Sequence, residues 1–314
     1  MKKGFLKDLA LLKNKKIGLI AGGISSERAI ALKSSAAVEK ALKSLGLNYI
    51  YIDFNPKNRK DIFSVIRKAR LDIVFLGLHG SYGEDGRIQG ALDIMGIKYT
   101  GSGVLASSIG MDKLISKKLL LEAGLPTPDY YEYTGKELKM TLPVVVKPVD
   151  GGSTIGVTIV KSRKDFQKAV RLAKKYCAKV MVEKYIQGRE VTVPVLFDRA
   201  LPVIEIIPKT AFYDYTAKYT KGMSDHILPA KLKKSLYAGI SELAVLTHKL
   251  LLMKDYSRID FMIEEKSGKP YILEANSLPG LTGTSLLPEA AKCAGLSFEE
   301  LILKMLAGGL RNAQ

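Results

Sequence analysis

The sequence predicts a mixed fold, an α/β unit built on a parallel sheet followed by α+β units built on hairpins. Three observations carry this. Over the first hundred or so residues, short apolar runs alternate with amphipathic stretches, the pattern of strands joined by helices that cover both faces of a sheet. From about residue 143 onward, several apolar runs follow one another across short turn signals, the pattern of antiparallel pairs. A hydrophobic content of 47% in 314 residues is ample for two or three packed units.

Residues 16–21 (KIGLIA) form a buried-strand pattern, followed by GGISSER. Ser25 or Ser26 can cap a helix over residues 27–45, where Ala, Leu and Val recur at helical spacing. A second strand over 48–53, a helix over 58–70 and a third strand over 72–78 continue the alternation. Ligands of such sheets bind at the carboxyl ends of the strands, here the loops GGISSER and HGSYGEDG. In the first, Glu27 sits at a helix N-terminus, where a carboxylate either complements the helix dipole or holds an ammonium group. In the second, His79 follows the strand directly, and Gly80, Gly83 and Gly86 suggest close backbone approach to a ligand. The Gly-Gly of the first loop is not a dinucleotide fingerprint.

Residues 98–102 form a short strand leading to a new unit, and MDKLISKKLLLEAG is helical up to Gly124. Two prolines in LPTPDYYEY break that helix before a strand. PVVVKP over 143–148 is a strand ending at Lys147, and DGGSTIG then leads to a strand over 157–160. Such a loop between strands is a flap whose amides can wrap phosphates, although no Gly-Lys-Ser/Thr opens a helix there. A helix over 163–176, a strand over 180–186 and a hairpin over 189–208, turned at Asp198-Arg199, come next. Residues 209–229 lack periodicity but carry Phe212, Tyr213, Tyr215 and Tyr219, so they read as a lid or binding loop. A long amphipathic helix over 232–252 and a final helix over 298–307 flank the most informative stretch.

That stretch is RIDFMIEEKSGKPYILEANSLPG, residues 258–280, two apolar-rich runs around Lys266-Ser267-Gly268-Lys269. A short loop centred on Ser267 sets Asp260 opposite Glu274 and Arg258 opposite Asn276. The same register sends Ile259, Phe261, Ile263, Tyr271, Leu273 and Ala275 to an apolar face. Opposed positions lie about 5 Å apart, close enough for oxygen donors to share a hard divalent cation with a phosphate. By itself the hairpin also reads as a solvated acidic face.

The net charge of +18 and the pI near 9.6 raise nucleic acid or acidic membrane as partners. The lysines are scattered, with no block of five or six like charges, so the expectation is neither nucleic acid nor membrane. Cys177 and Cys293 are too few and too distant for a disulfide framework or a metal site, which fits a reducing compartment. Lys7, Asp8 and Lys13 interrupt the opening residues as a signal peptide, and no apolar run spans a membrane. A cytoplasmic protein is expected.

Taken in order, GGISSER, LHGSYGEDGRIQG, YTGSGVLAS, MDK, VVVKP, GGSTIG, VEKYIQGRE, FYDYTAKY, RIDF and LEANSLPGLTGTS resemble the D-alanine–D-alanine ligase family of ATP-grasp enzymes. The resemblance covers nearly everything after about residue 16. It implies a Rossmann-like, pre-ATP-grasp N-terminal unit over residues 1–103, and a two-part ATP-grasp fold over 104–184 and 185–314. It implies ATP contacts at Lys113, Lys147, Glu183, Lys184, Ile186, Glu190 and Phe212. Asp260, Glu274 and Asn276 resemble the family's ligands for two Mg²⁺ ions, with Mn²⁺ as an alternative. For the chemistry it implies Glu27 on the first substrate's ammonium, His79 orienting that substrate and Arg258 on the tetrahedral oxyanion. Lys218 would reach the γ-phosphate, and Tyr219 would tie the lid to Ser153 and Glu27. Tyr213, Gly280, Ser285 and Leu286 are implied substrate contacts.

The implied activity joins two D-alanines through an acyl phosphate for peptidoglycan precursors, by a homodimer. Another ATP-grasp carboxylate–amine ligase, such as a D-alanine–D-lactate ligase, is the alternative. Tyr219 favours the dipeptide, because depsipeptide-forming relatives commonly carry phenylalanine there.

Overall fold

Three sheets order the fold in the computed structural model, which describes residues 3–58, 60–135, 137–209 and 224–312. The first contains β1 (Ile17–Gly22), β2 (Tyr49–Phe54), β3 (Ile73–Leu78) and β4 (Lys98–Tyr99), all parallel, in the order β2-β1-β3-β4. Helices α2 (Arg28–Ser44), α3 (Ile62–Ala69) and α4 (Arg87–Ile94) make the crossovers. Every residue of β1 and β3 is buried, as in a sheet covered on both faces.

The rest of that cover comes from the far end of the chain. Helices α9 (Leu286–Cys293) and α10 (Phe298–Arg311) share one apolar core with the first sheet, with Leu287, Leu301 and Leu306 packed in the same cluster as Ile17 and Phe75. A capping box at Ser297 and Glu300 starts α10. Helix α1 (Lys3–Leu12), in a stretch that sequence reading left without a structure, lies along α10, with Asp8 ion-paired to Arg311.

The second sheet contains β5 (Tyr130–Glu132), β6 (Val144–Pro148), β7 (Thr158–Val160) and β8 (Val180–Lys184), antiparallel in the order β5-β8-β6-β7. Phe166, Ala169, Val170 and Ala173 of α7 (Arg163–Lys174) pack on it. The third sheet contains β9 (Gly188–Leu196), β10 (Arg199–Ala200), β11 (Ile204–Pro208), β12 (Ser224–Ile227), β13 (Tyr256–Glu264) and β14 (Pro270–Asn276). Its order is β12-β11-β9-β13-β14, with β10 on β9. The β9–β10 turn is at Phe197 and Asp198, both left-handed (φ 49 and 58), one residue earlier than the sequence suggested.

Two helices that the sequence did not signal, α4 and α5 (Val104–Met111), are short and rich in Gly, Ala or Ser. Helix α6 (Lys113–Glu122) starts where the Asp112 carboxylate caps the amides of Leu114 and Ile115. Leu114 packs with Val149 and Met181 beside the second sheet, and Leu120 joins the core of the third, so α6 ties the two together.

The β13–β14 hairpin brings a correction. Arg258 pairs with Asn276 and Asp260 with Glu274, as the loop centre predicts. Beyond Asp260 a β-bulge shifts the register, so Phe261 pairs with Ile272. The extra residue reverses which face each later side chain takes. Ile272 is therefore in the core, and Leu273, expected there, turns to the opposite side together with Met262.

His248 of α8 (Lys234–Leu250) is buried, with Nδ1 2.7 Å from Ser257 Oγ and Nε2 3.5 Å from Asp198. Burial pushes its pKa down to about 4, against the opposing pull of Asp198. An unfolded histidine titrates near 6.5, so between those values the unfolded chain binds more protons and stability falls as pH falls. Between pH 7 and 5 the group should cost roughly 2 kcal/mol. Urea unfolding at both pH values checks this, since His248→Met should remove that part of the loss. Equal losses in both proteins would clear His248 as the source.

Among the described residues, no helix is long and apolar enough to cross a membrane.

Candidate active site

Two cavities meet above the third sheet. The larger is an open cleft of about 870 Å³, solvent-open space included, walled by Lys113, Lys147 and Glu183, the flap and Ile186, and floored by Met262 and Leu273. The smaller, about 780 Å³ with its solvent-open space included, is lined by Glu27, His79, Arg258 and the 278–286 loop. Gly152, Glu190, Asp260 and Glu274 line both.

At this shared wall Asp260 is held on both oxygens. Arg258 donates from Nε to Oδ1 at 2.8 Å and from Nη2 to Oδ2 at 2.7 Å. Thr192 of β9 donates to Oδ1 at 2.6 Å, and Asn276 donates its amide to Oδ2 at 3.1 Å. Glu274 lies 3.5 Å from Lys113 Nζ, which also donates to the Gly151 carbonyl at 2.6 Å. The carboxylates are thus each set against a cation. Among the described residues, no three His, Cys, Asp or Glu side chains form a metal cage of their own. Two carboxylates and an amide still fit Mg²⁺, which takes few protein oxygens and completes its shell with water and substrate phosphate.

Glu27 stands at the N-cap of α2 and is nearly enclosed. Its carboxylate accepts the Ser153 hydroxyl, which joins the flap to the first sheet's loop. Ser153 and Thr154 are both left-handed (φ 55 and 62), a conformation that non-glycine residues resist. The glycines of HGSYGEDG do not play the expected part. A Cβ on Gly80 would come within 2.7 Å of Glu27 Oε2, and one on Gly83 within 2.6 Å of Leu78, so those two make room for protein atoms rather than for a ligand. Arg28 fixes the same loop from behind, donating to both oxygens of Asp53 and to the carbonyls of Gly23 and Phe54.

His79 is buried, and burial pushes its pKa down despite the attraction of Glu27. Nδ1 lies 3.1 Å from the Leu278 carbonyl, which can only accept, so the proton sits on Nδ1. Nε2 then accepts from Ser34 Oγ at 3.3 Å, and Ser34 Oγ accepts the Leu281 amide. The ring pins the 278–286 loop to the first sheet. Within that loop Ser285 Oγ receives the Thr282 amide at 2.9 Å, and Gly280 leaves room for the same oxygen. Leu286 opens α9 at the cavity wall.

Lys184 is exposed at the end of β8 beside buried Ile186, and Glu190 lies on β9 opposite Met262. Glu183 is enclosed between Lys117 and Lys147. Burial would raise its carboxyl, but the two ammonium groups more than offset this and hold it below the ordinary range. Phe212, Tyr213, Lys218 and Tyr219 lie outside the described residues.

Sequence reading missed three groups. Glu84, inside the quoted HGSYGEDG, lines the smaller cavity and accepts the Gly80 amide at 2.5 Å; burial and then the charge of Glu27 push it up to about 8. Thr192 carried no signal beyond its place on a strand. Lys117 did carry one, a charge spaced three residues from both Leu114 and Leu120 on the buried face of α6.

Family models described as D-ala D-ala ligase N-terminus and C-terminus match residues 55–102 and 119–307. A D-alanine–D-alanine ligase from Geotalea uraniireducens (strain Rf4) is 46% identical over 302 residues, 94% of this chain and 96% of the relative. The chain belongs to the D-alanine–D-alanine ligase family. A family member from Carboxydothermus hydrogenoformans (strain ATCC BAA-161 / DSM 6008 / Z-2901) is 44% identical over 314 residues, covering 95% of this chain and 99% of its own. A crystal structure of the family's ligase from Bacillus anthracis complexed with ATP superposes with a TM-score of 0.82 at 32% identity, covering 95% of this chain and 98% of that one. The expected α/β unit followed by a two-part ATP-grasp fold agrees with this likeness.

Proposed function

We propose that the larger cavity takes ATP, that the smaller takes two D-alanines, and that phosphoryl transfer occurs at their common wall. The chain is an ATP-dependent D-alanine–D-alanine ligase of cell-wall synthesis. The single observation supporting the division of labour is that Asp260 and Glu274 line both cavities. An ATP phosphate end and a substrate carboxylate can meet at the wall that the two cavities share.

In the first step, a carboxylate oxygen of one D-alanine attacks the γ-phosphorus and ADP leaves. In the second, the amine of the other D-alanine attacks the acyl carbon and phosphate leaves. Glu27 suits the first ammonium, and neutral His79 fixes the loop that borders it. Arg258, a cation within the smaller cavity, suits the tetrahedral oxyanion. Met262 and Leu273 offer an apolar surface to the base, while Lys113 and Lys147 suit phosphates as point charges. Asp260, Glu274 and Asn276 would hold two Mg²⁺, or Mn²⁺; when bound, the metal neutralises charge on the transferring phosphoryl group. Phe212, Tyr213, Lys218 and Tyr219 keep their proposed places in a lid that excludes water from the acyl phosphate. Resemblance likewise supports domains over 1–103, 104–184 and 185–314, a homodimer and a cytoplasmic site of action.

Incubation with ATP, D-alanine and excess D-lactate near neutral pH tests product choice. D-alanyl-D-alanine should dominate, detected by mass spectrometry. A predominance of depsipeptide would overturn the reading of Tyr219.

A further inference from the structure

Lys117 has no part in the chemistry above, yet it is 1% exposed beside the larger cavity. Its ammonium lies 2.8 Å from Glu183 Oε1, donates to Thr127 Oγ1 and stands 5.6 Å from the centre of the Tyr130 ring. Thr127 gives its own hydroxyl proton to the Ile272 carbonyl at 2.8 Å, so its oxygen is left to accept from Lys117. The site is built for a cation. The other Glu183 oxygen takes Lys147. Two positive groups therefore share one carboxylate, with Lys147 and Glu183 at the cavity wall and Lys117 behind them.

Packing does not explain this arrangement. Helix α6 buries Leu114 and Leu120 on either side of Lys117, and a third apolar residue would continue that face. Buried ion pairs are commonly no more stabilising than apolar replacements of similar volume. Charge bookkeeping gives a better reason. With Lys117 absent, Glu183 and Lys147 form a neutral pair, and the wall facing the phosphates loses a full positive charge. In a partly desolvated cleft that loss acts strongly on an anionic ligand.

We propose that Lys117 is a positioning residue for ATP binding, neutralising Glu183 from behind so that the charge of Lys147 is left for the nucleotide's phosphates. The inference rests on assigning the larger cavity to ATP. Its ionisation supports it: burial pushes the Lys117 ammonium down to about 8, Glu183 opposes that, and the group stays mainly charged near neutral pH.

The test is a double-mutant cycle read by ATP dissociation constants, with KM values for both substrates. Lys117→Met should weaken ATP about tenfold or more, while KM for D-alanine moves by less than about twofold. In a Glu183→Gln background the same replacement should cost less than about threefold, because no carboxylate remains to capture Lys147. An equal cost in both backgrounds would mean that Lys117 acts through its own charge or volume and not by neutralising Glu183, which overturns the proposal, as would no cost in the wild-type background. Lys147→Met serves as the control. If it leaves ATP binding intact, the cavity assignment fails; if it weakens ATP while Lys117→Met does not, only the role of Lys117 fails. Lys117→Gln, which keeps a partner for Thr127, replaces the methionine variant if that does not fold.

Discussion

Glu274→Gln should reduce D-alanine-dependent phosphate release by about a hundred- to a thousandfold, the range for removing one preorganised electrostatic group from a reacting centre. Glu274 faces Asp260 across the β13–β14 pair, lines both cavities and lies 3.5 Å from Lys113. The amide keeps the shape and one acceptor oxygen but removes the charge. A single-charge change at a side chain only 23% exposed, outside the apolar cores, should leave the fold intact, and thermal unfolding provides the control. Phosphate release is to be compared with and without D-alanine in both proteins. Equal turnover would strike Glu274 from the chemistry and leave the common wall without its acidic pair.

Arg258→Met should have a comparable effect, about a hundred- to a thousandfold on kcat, but concentrated in the second step. Its guanidinium grips both oxygens of Asp260, at 2.8 and 2.7 Å, and lines the smaller cavity. If its role is to meet negative charge on the tetrahedral carbon, ADP should still form in a first turnover while dipeptide lags far behind. Rapid-quench measurement of ADP and D-alanyl-D-alanine separates the two. Parallel loss of both products would show that Arg258 acts mainly by holding Asp260, and the oxyanion role would be withdrawn.

The far half of the hairpin was legible because strand alternation needs only a loop centre. Asp260 and Glu274 follow from Ser267 by symmetry. The near half was not, because a bulge adds one residue to one strand and nothing in PYILEAN distinguishes Ile272 from Leu273 as the core member. The parallel sheet was legible from apolar runs such as DIVFLGL, whereas RIQGALDI and VLASSIGM are too short and too mixed to announce α4 and α5. Glu27 and His79 could be placed at strand ends, but their contacts with Ser153 and Leu278 join residues 126 and 199 positions apart, a separation no local pattern encodes. Lys117 carried a spacing signal with Leu114 and Leu120, but company masked it. In a chain with 49 lysines and arginines, one more cation in LISKKLLLE reads as solvated until the partner that buries it is known.

Packing of α9 and α10 against the first sheet has a consequence for how the protein is made. Synthesis delivers β1 to β4 first, whereas Leu287, Leu301 and Leu306, which share their core, come from helices made long afterwards. Until α9 and α10 are made, part of that nascent sheet's greasy surface lacks its final cover. Because loop closure over so long a span is slow, this interval is when the chain most needs a chaperone, and removing α10 should convert an enzyme into an aggregate rather than into a smaller folded piece.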